Sequence, residues 1–384
     1  TAATCSTTAT AGSVVGAYPV TCAGAADSNY TIGYSRGSLV VHGAELVVAA
    51  PSLSKAYGAA VPDLAPKYVG LVGGQLKPAT GATCTTTATA SSAAGAYPTT
   101  CSGAADPNYV IVYAAGTLTV TRAALTVQAP SPSKSYGAAL PALAPSYVGL
   151  VNGATAPGTP ATCSTTAAPD SAAGTYPVTC SGAADANYDV SYASGTMTVT
   201  KAALTIDADD QSRAYGEANP PLTVAYSGFV LGQTRATSGV AGAPACTTTA
   251  GPTSAPGGYP ITCSAGTLAA ANYSFTFDPG TLTVHKVDTE LTTKPVTLAR
   301  SLLTVRATMT ATLRSAGSAG APLSGQTVSF TLAGRSCSAT TDTNGTASCS
   351  VSVLSALFAG GYTATYPGNT NYAPSSATGK VTLL

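Results

Sequence analysis

The sequence has no tryptophan, and only two histidines, two methionines and five phenylalanines in 384 residues. Charge is almost as scarce, at 8% of residues, and 16 Lys+Arg against 15 Asp+Glu leave a net charge of +1. An ordinary soluble domain carries about 25% charged residues. Sixteen cations diluted over this length make no basic face, so nucleic acid is not an expected partner. No apolar run approaches the roughly 18 residues that span a bilayer, and the segment opens without a basic-then-apolar leader. Membrane insertion of this segment is therefore not expected. Two histidines and no Cys-x-x-Cys leave too few ligands for a zinc site. His42 and His285 share one repeat position, which Thr121 and Thr200 fill in sister copies. A general base that sister copies replace with Thr is a poor catalytic device. With no phosphate loop, HExxH or GxSxG present, neither an enzyme nor a cofactor is expected.

Small and turn-forming residues dominate instead, with 40 Gly and 26 Pro, and hydrophobic residues reach 45%. That is too apolar for a disordered chain. Ten cysteines fall in pairs: Cys5 and Cys22, Cys84 and Cys101, Cys163 and Cys180, Cys246 and Cys263, then Cys337 and Cys349. The first four separations (22 − 5, 101 − 84, 180 − 163 and 263 − 246) all equal 17. Regular pairing predicts one intramolecular disulfide per module and an oxidising, extracellular or cell-surface compartment. Each such loop adds about 3 kcal/mol in the chain-entropy model, which small modules poor in large side chains need.

Self-similarity sets the organisation. The stretch from Leu46 (LVVAAPSLSKAYGAAVPDLAPKYVGLV) returns at Leu125 and at Leu204, an offset of 79 both times (125 − 46 and 204 − 125). Each copy continues through Cys, Gly-x-Tyr-Pro, a second Cys, Asn-Tyr and a closing Gly-Thr-Leu-Thr-Val or a close variant. The expected divisions are 1–45, matching only the second half of a copy, then 46–124, 125–203, 204–287 and a different domain at 288–384. Period-two alternation, as in Tyr109/Ile111/Tyr113 and Leu118/Val120, predicts half-buried antiparallel strands. Gly149–Gly153 could hold one helical turn. Junctions such as Thr121-Arg122-Ala123-Ala124 contain no Gly or Pro hinge, so an all-β tandem array of small modules, beads on a stiff string, is predicted.

Candidate sites are few. Asp27, Asp106 and Asp185 stand two residues before Asn-Tyr, where Asp and Asn bond their own backbone at a strand entry. Asp207, Asp209 and Asp210 form the one acidic cluster and, with Glu217, are a weak calcium candidate. Their sister positions carry no carboxylate: Ala49, Pro51 and Ser52, and Gln128, Pro130 and Ser131. All 20 tyrosines fall on repeated positions or in the final domain, which favours core and turn scaffold over a glycan platform. Asn29-Tyr-Thr, Asn272-Tyr-Ser and Asn344-Gly-Thr are formal glycosylation sequons.

The ordered set Tyr-Gly-x-x-x-Pro-x-Leu, Gly-x-Tyr-Pro, Asn-Tyr and Gly-Thr-Leu-Thr-Val makes residues 46–287 resemble the bacterial MBG domain of the YGX type, with 1–45 matching its second half. The resemblance implies small β-grasp or Ig-like modules in tandem, in secreted surface proteins including large adhesins, with no catalytic residues to carry over. The cysteine pairs, and Ala or Glu where Asp often follows Tyr-Gly, depart from the commoner pattern. Residues 288–384 resemble a bacterial Ig-like repeat through 322–330 (PLSGQTVSF), Cys337, 342–345 (DTNG), Cys349 and 361–363 (GYT). Asn344-Gly345 reads as a hairpin turn that Cys337–Cys349 would bridge.

The function expected is a non-enzymatic stalk of a surface adhesin or a filament subunit. The alternative is a glycan-binding or spacer module of a secreted carbohydrate-active protein. Residues 1–45 lack about 34 residues that open a module by alignment with Leu46 to Cys84. They still present Tyr30, Ile32 and Tyr34 on one apolar face. Either an upstream part of a longer chain covers that face, or a strand from another copy completes it and gives a head-to-tail polymer.

Overall fold

A computed structural model describes residues 1–298, 304–316, 320–354 and 360–383. All regular elements among them are strands, as the period-two pattern and the Thr/Val-rich wet faces dictate. The chain forms two compact units. The first comprises Thr1–Lys134, Ala139–Ala168 and Gly174–Val199; the second comprises Ser135–Ala138, Pro169–Ala173 and Thr200–Leu384.

At the start, β1 (Thr4–Thr7), β2 (Gly16–Ala23) and β3 (Gly37–Val41) make one antiparallel sheet in that order. Next come β4 (Ala44–Ala49), β5 (Leu53–Ala56), β6 (Lys67–Val69), β7 (Thr83–Thr86), β8 (Gly95–Ser102), β9 (Tyr109–Ala114) and β10 (Gly116–Thr121). They form two sheets, β6-β4-β9 and β5-β10-β8-β7. The opening segment serves both sheets: β4 runs parallel to β9, and beyond Pro51 β5 runs parallel to β10. Leu46 and Val48 from β4 meet Tyr109 in the core, and Leu118 and Val120 of β10 are equally buried.

The same plan recurs in β11 (Ala123–Gln128), β12 (Ser133–Ser135), β13 (Ser146–Val148), β14 (Thr162–Thr165), β15 (Gly174–Ser181), β16 (Tyr188–Ala193) and β17 (Gly195–Thr200). Its sheets are β13-β11-β16 and β12-β17-β15-β14. A third copy uses β18 (Ala202–Ala208), β19 (Gln211–Ala214), β20 (Val224–Ser227), β21 (Ala245–Thr248), β22 (Gly257–Ser264), β23 (Tyr273–Asp278) and β24 (Gly280–His285). These pair as β20-β18-β23 and β19-β24-β22-β21. Two-sheet sandwiches of this kind realise the Ig-like form of the expected fold. A single residue, Arg122 or Lys201, separates the closing strand from the next opening strand.

Disulfides Cys5–Cys22, Cys84–Cys101, Cys163–Cys180 and Cys246–Cys263 each join directly opposite residues of two neighbouring antiparallel strands. In these four modules the cross-link therefore lies within one sheet.

Two local expectations are corrected. Gly149–Gly153 is a turn with no helix, because Asn152 and Gly153 both take positive φ (56° and 76°). Residues 30–34 form no strand, since β9, β16 and β23 exist by pairing with an opening strand that 1–43 do not contain. Tyr30 is consequently 75% exposed, with Ile32 and Tyr34 also exposed. The Tyr34 hydroxyl still accepts from Ala25 N at 2.8 Å.

The final domain contains β25 (Thr289–Lys294), β26 (Val296–Leu298), β27 (Thr304–Ser315), β28 (Thr327–Leu332), β29 (Arg335–Thr340), β30 (Thr346–Leu354), β31 (Gly361–Tyr366) and β32 (Ser375–Leu383). One sheet is β25-β27-β30 and the other β26-β32-β31-β28-β29, an Ig-like sandwich closed over Met309, Leu313, Phe330 and Tyr362. Asn344-Gly345 is not a hairpin turn here. β29 pairs with β28 and β30 with β27, so Cys337–Cys349 ties the two sheets together. Buried Thr341 causes the switch: its hydroxyl donates to Leu323 O at 2.6 Å and accepts from Gln326 N at 2.9 Å. Asp342 then accepts from Asn344 N and Thr346 N, both at 2.9 Å, and turns the chain into the second sheet.

Candidate functional site

Repeated residues of neighbouring modules converge where one module meets the next. A Tyr-Gly corner follows β5, β12 and β19. In the first unit the Tyr57 ring stands edge-on to Tyr188, 5.4 Å between centroids. In the second, Tyr136 stands edge-on to Tyr273 at 5.7 Å, and Tyr215 to Tyr372 at 6.1 Å. Such pairs add about 0.5–1.5 kcal/mol beyond their buried area. The glycine is required by the neighbour as well as by φ. Gly137 has φ +80°, and a Cβ there would meet Val230 Cγ2 at 2.5 Å; at Gly58 the same clash falls on Val151.

A buried cation stiffens each corner. Lys55 Nζ donates to Ala59 O and Ala90 O at 3.0 and 3.4 Å, and Gly58 N also donates to Ala90 O. Arg213 donates to Asn219 Oδ1 and Gly251 O in the equivalent place, and Lys134 is likewise buried. A charge taken out of water needs such partners. The corner is thereby tied to the loop preceding Gly-x-Tyr-Pro, and that loop makes the second contact of each joint. Asn108 Oδ1 accepts from Val15 N at 3.1 Å, Asn187 Oδ1 from Ala94 N at 3.0 Å, and Asn272 Oδ1 from Ala173 N at 3.0 Å.

Sequence reasoning gave Asn-Tyr a turn role within its own module. Asp106 and Asp185 do make that turn, accepting from Asn108 N at 2.9 Å and Asn187 N at 2.8 Å. The asparagine side chain instead reaches the adjacent module. One signal pointed there: the copy that loses the Asp, at Ala270, keeps Asn272-Tyr273. The final domain carries the dipeptide too, as Asn371-Tyr372. Asn369 Oδ1 takes the Asp role, accepting from Asn371 N at 2.8 Å. Asn371 O accepts from Val287 N at 3.0 Å, as Asn108 O does from Ala44 N at 3.0 Å and Asn187 O from Ala123 N at 2.9 Å.

In the second unit a glutamine completes the joint. Gln233 Nε2 donates to the Tyr136 hydroxyl at 2.9 Å, while its Oε1 accepts from the Tyr273 hydroxyl at 2.6 Å. The residue at that position is Gln75 in the β4–β10 module and Ala154 in the β11–β17 module.

Three carboxylates of the acidic set have separate partners. Asp207 accepts from Ser227 Oγ at 2.9 Å, Asp210 from Thr281 N at 2.7 Å and Glu217 from Ala214 N at 3.0 Å. Among the described residues no three His, Cys, Asp or Glu side chains form a metal-ligating group. His42 and His285 are exposed.

No curated protein sequence matches the chain. Among solved structures, it is similar to a calcium-stabilised ice-binding adhesin of an Antarctic bacterium, with 13% identity over 97% of this chain and 95% of that one, and a TM-score of 0.30. A 1.5-MDa bacterial ice-binding adhesin matches at 12% identity over 96% of this chain and 92% of the other, TM-score 0.22. The model of the MBG domain (YGX type) matches residues 1–40, 46–119, 125–198 and 204–283. With its Tyr-Gly corners, Asn-Tyr turns and sandwich modules, the chain belongs to the MBG domain family of the YGX type.

Proposed function

We propose that this chain is a non-enzymatic extracellular spacer, the stalk of a surface adhesin or the subunit of an extracellular filament. The joint carries the reading. The same two dipeptides, Tyr-Gly and Asn-Tyr, hold consecutive modules in place: the Tyr-Gly of each copy acts on the next copy and the Asn-Tyr on the preceding one. One disulfide in each module supports an oxidising compartment outside the cytoplasm. Membership of a family whose pattern carries no catalytic residues supports a mechanical role. Solution scattering on the intact, oxidised chain tests it: an extended particle is expected, and a compact globule would overturn the stalk reading.

A further inference from the structure

Each Tyr-Gly corner of this chain, at Tyr57, Tyr136 and Tyr215, is seated on the module that follows. The receiving surface of the β4–β10 module instead abuts residues 1–43, which contain no Tyr-Gly. It is an open cleft whose lining includes Val14, Val72, Gln75, Asn108 and Tyr109. Its groups correspond position by position to those that hold Tyr136-Gly137: Val72 to Val230, Gln75 to Gln233 and Tyr109 to Tyr273. Gln75 Oε1 already accepts from the Tyr109 hydroxyl, as Gln233 Oε1 does from Tyr273. Its Nε2, the counterpart of the donor to Tyr136, makes no hydrogen bond among the described residues. Val72 is 56% exposed, whereas Val151 and Val230, which meet Gly58 and Gly137, are half-buried.

A second surface points to the same occupant. Leu39 is 44% exposed, while its counterparts Leu118, Met197 and Leu282 are fully buried. In the complete modules an opening segment passes there. A Cβ on Gly116 would lie 2.5 Å from Ala50 O and Pro51 O, but on Gly37 it would meet only Val20, at 3.4 Å or more. One kind of segment fits both surfaces. It is a strand alternating like Ala123/Leu125/Val127, then Lys or Arg, one residue, and Tyr-Gly.

We propose that the Tyr30–Leu39 face and the Val72–Gln75–Tyr109 cleft form one binding site for a polypeptide segment of this opening-half type. Its strand runs parallel to residues 30–35, and its Tyr-Gly corner enters the cleft. The inference stands apart from the stalk reading, which scattering tests separately.

The test is calorimetric titration of the intact, oxidised chain with a synthetic peptide of residues 123–161, which carries Tyr136-Gly137. Saturable one-to-one binding is expected. A Tyr136→Ala peptide should bind about tenfold more weakly, and a Gly137→Val peptide should be excluded from the cleft. Gln75→Ala in the chain should weaken the wild-type peptide at least about fivefold but leave a Tyr136→Phe peptide almost unaffected. Thermal unfolding of the Gln75→Ala chain checks that it remains folded. No saturable binding, or equal binding of the wild-type and Tyr136→Ala peptides, overturns the site. A chain that dimerises through this face and refuses the peptide overturns the assigned occupant.

Discussion

The three Tyr-Gly joints are natural variants of one another, so a single hydroxyl can be weighed within one molecule. Tyr136 receives a hydrogen bond from Gln233, whereas Ala154 stands where Tyr57 would find such a donor. Tyr136→Phe should cost about 1 kcal/mol, and Tyr57→Phe almost nothing. Chemical denaturation of both variants measures the contrast, and a Gln233→Ala cycle should assign the difference to the pair. Tyr362 gives a second residue-level expectation. Burial raises its pKa above the ordinary 10.0, partly offset by its hydrogen bonds to Thr310 O and Lys294 O. The folded state therefore holds this proton more tightly than the unfolded one. The stability it contributes is complete below about pH 10 and is lost as pH rises through the raised value. Alkaline unfolding of the final domain, followed by circular dichroism, should be less steep above pH 10 in Tyr362→Phe. The sequence revealed that Asn-Tyr matters but not for what. An Asn two residues after an Asp reads as a local turn, and only the packed structure shows the Asn108 side-chain Oδ1 accepting from Val15 N.

Strands were the most legible elements because Tyr109/Ile111 and Leu118/Val120 alternate with Thr and Val, which fits a sheet wet on one face. Sheet membership was not legible. Asn344-Gly345 is a local hairpin signal, but the choice of sheet on either side depends on what buried Thr341 bonds 15 to 18 residues away. The stripe at Tyr30–Tyr34 failed for the same reason: alternation makes a strand possible, and a partner such as β4 makes it real. The cross-strand disulfides act on single hairpins. Replacing Cys163 and Cys180 together by Ser should destabilise that module by about 3 kcal/mol while leaving the β18–β24 module unchanged. Hydrogen exchange resolved by peptide can read the two modules separately.

At the scale of the whole molecule the repeat was plain in the 79-residue offset (125 − 46), but the mechanics of the repeat were not. Tyrosines recurring at fixed positions suggested core, and Tyr136 is indeed buried, yet its burial comes from the module that follows. If the joints set how rigidly modules are held, Tyr57→Ala with Tyr136→Ala should leave every module folded while lowering the unfolding midpoints of the modules they join. Scattering from that double variant should become that of a more flexible chain. A globule unaffected by both changes would argue against joints as the organising contacts.

Each complete module carries a corner at one end and a receiving surface at the other, and both belong to the same 79-residue period (204 − 125). Adding or deleting one period of coding sequence therefore leaves every corner facing a receiving surface, because the new neighbours present the same kinds of surface. Misaligned recombination within such a gene would change the number of modules in its product, without any other residue having to adapt. The domain at 288–384, by copying only Asn-Tyr, can follow any number of them.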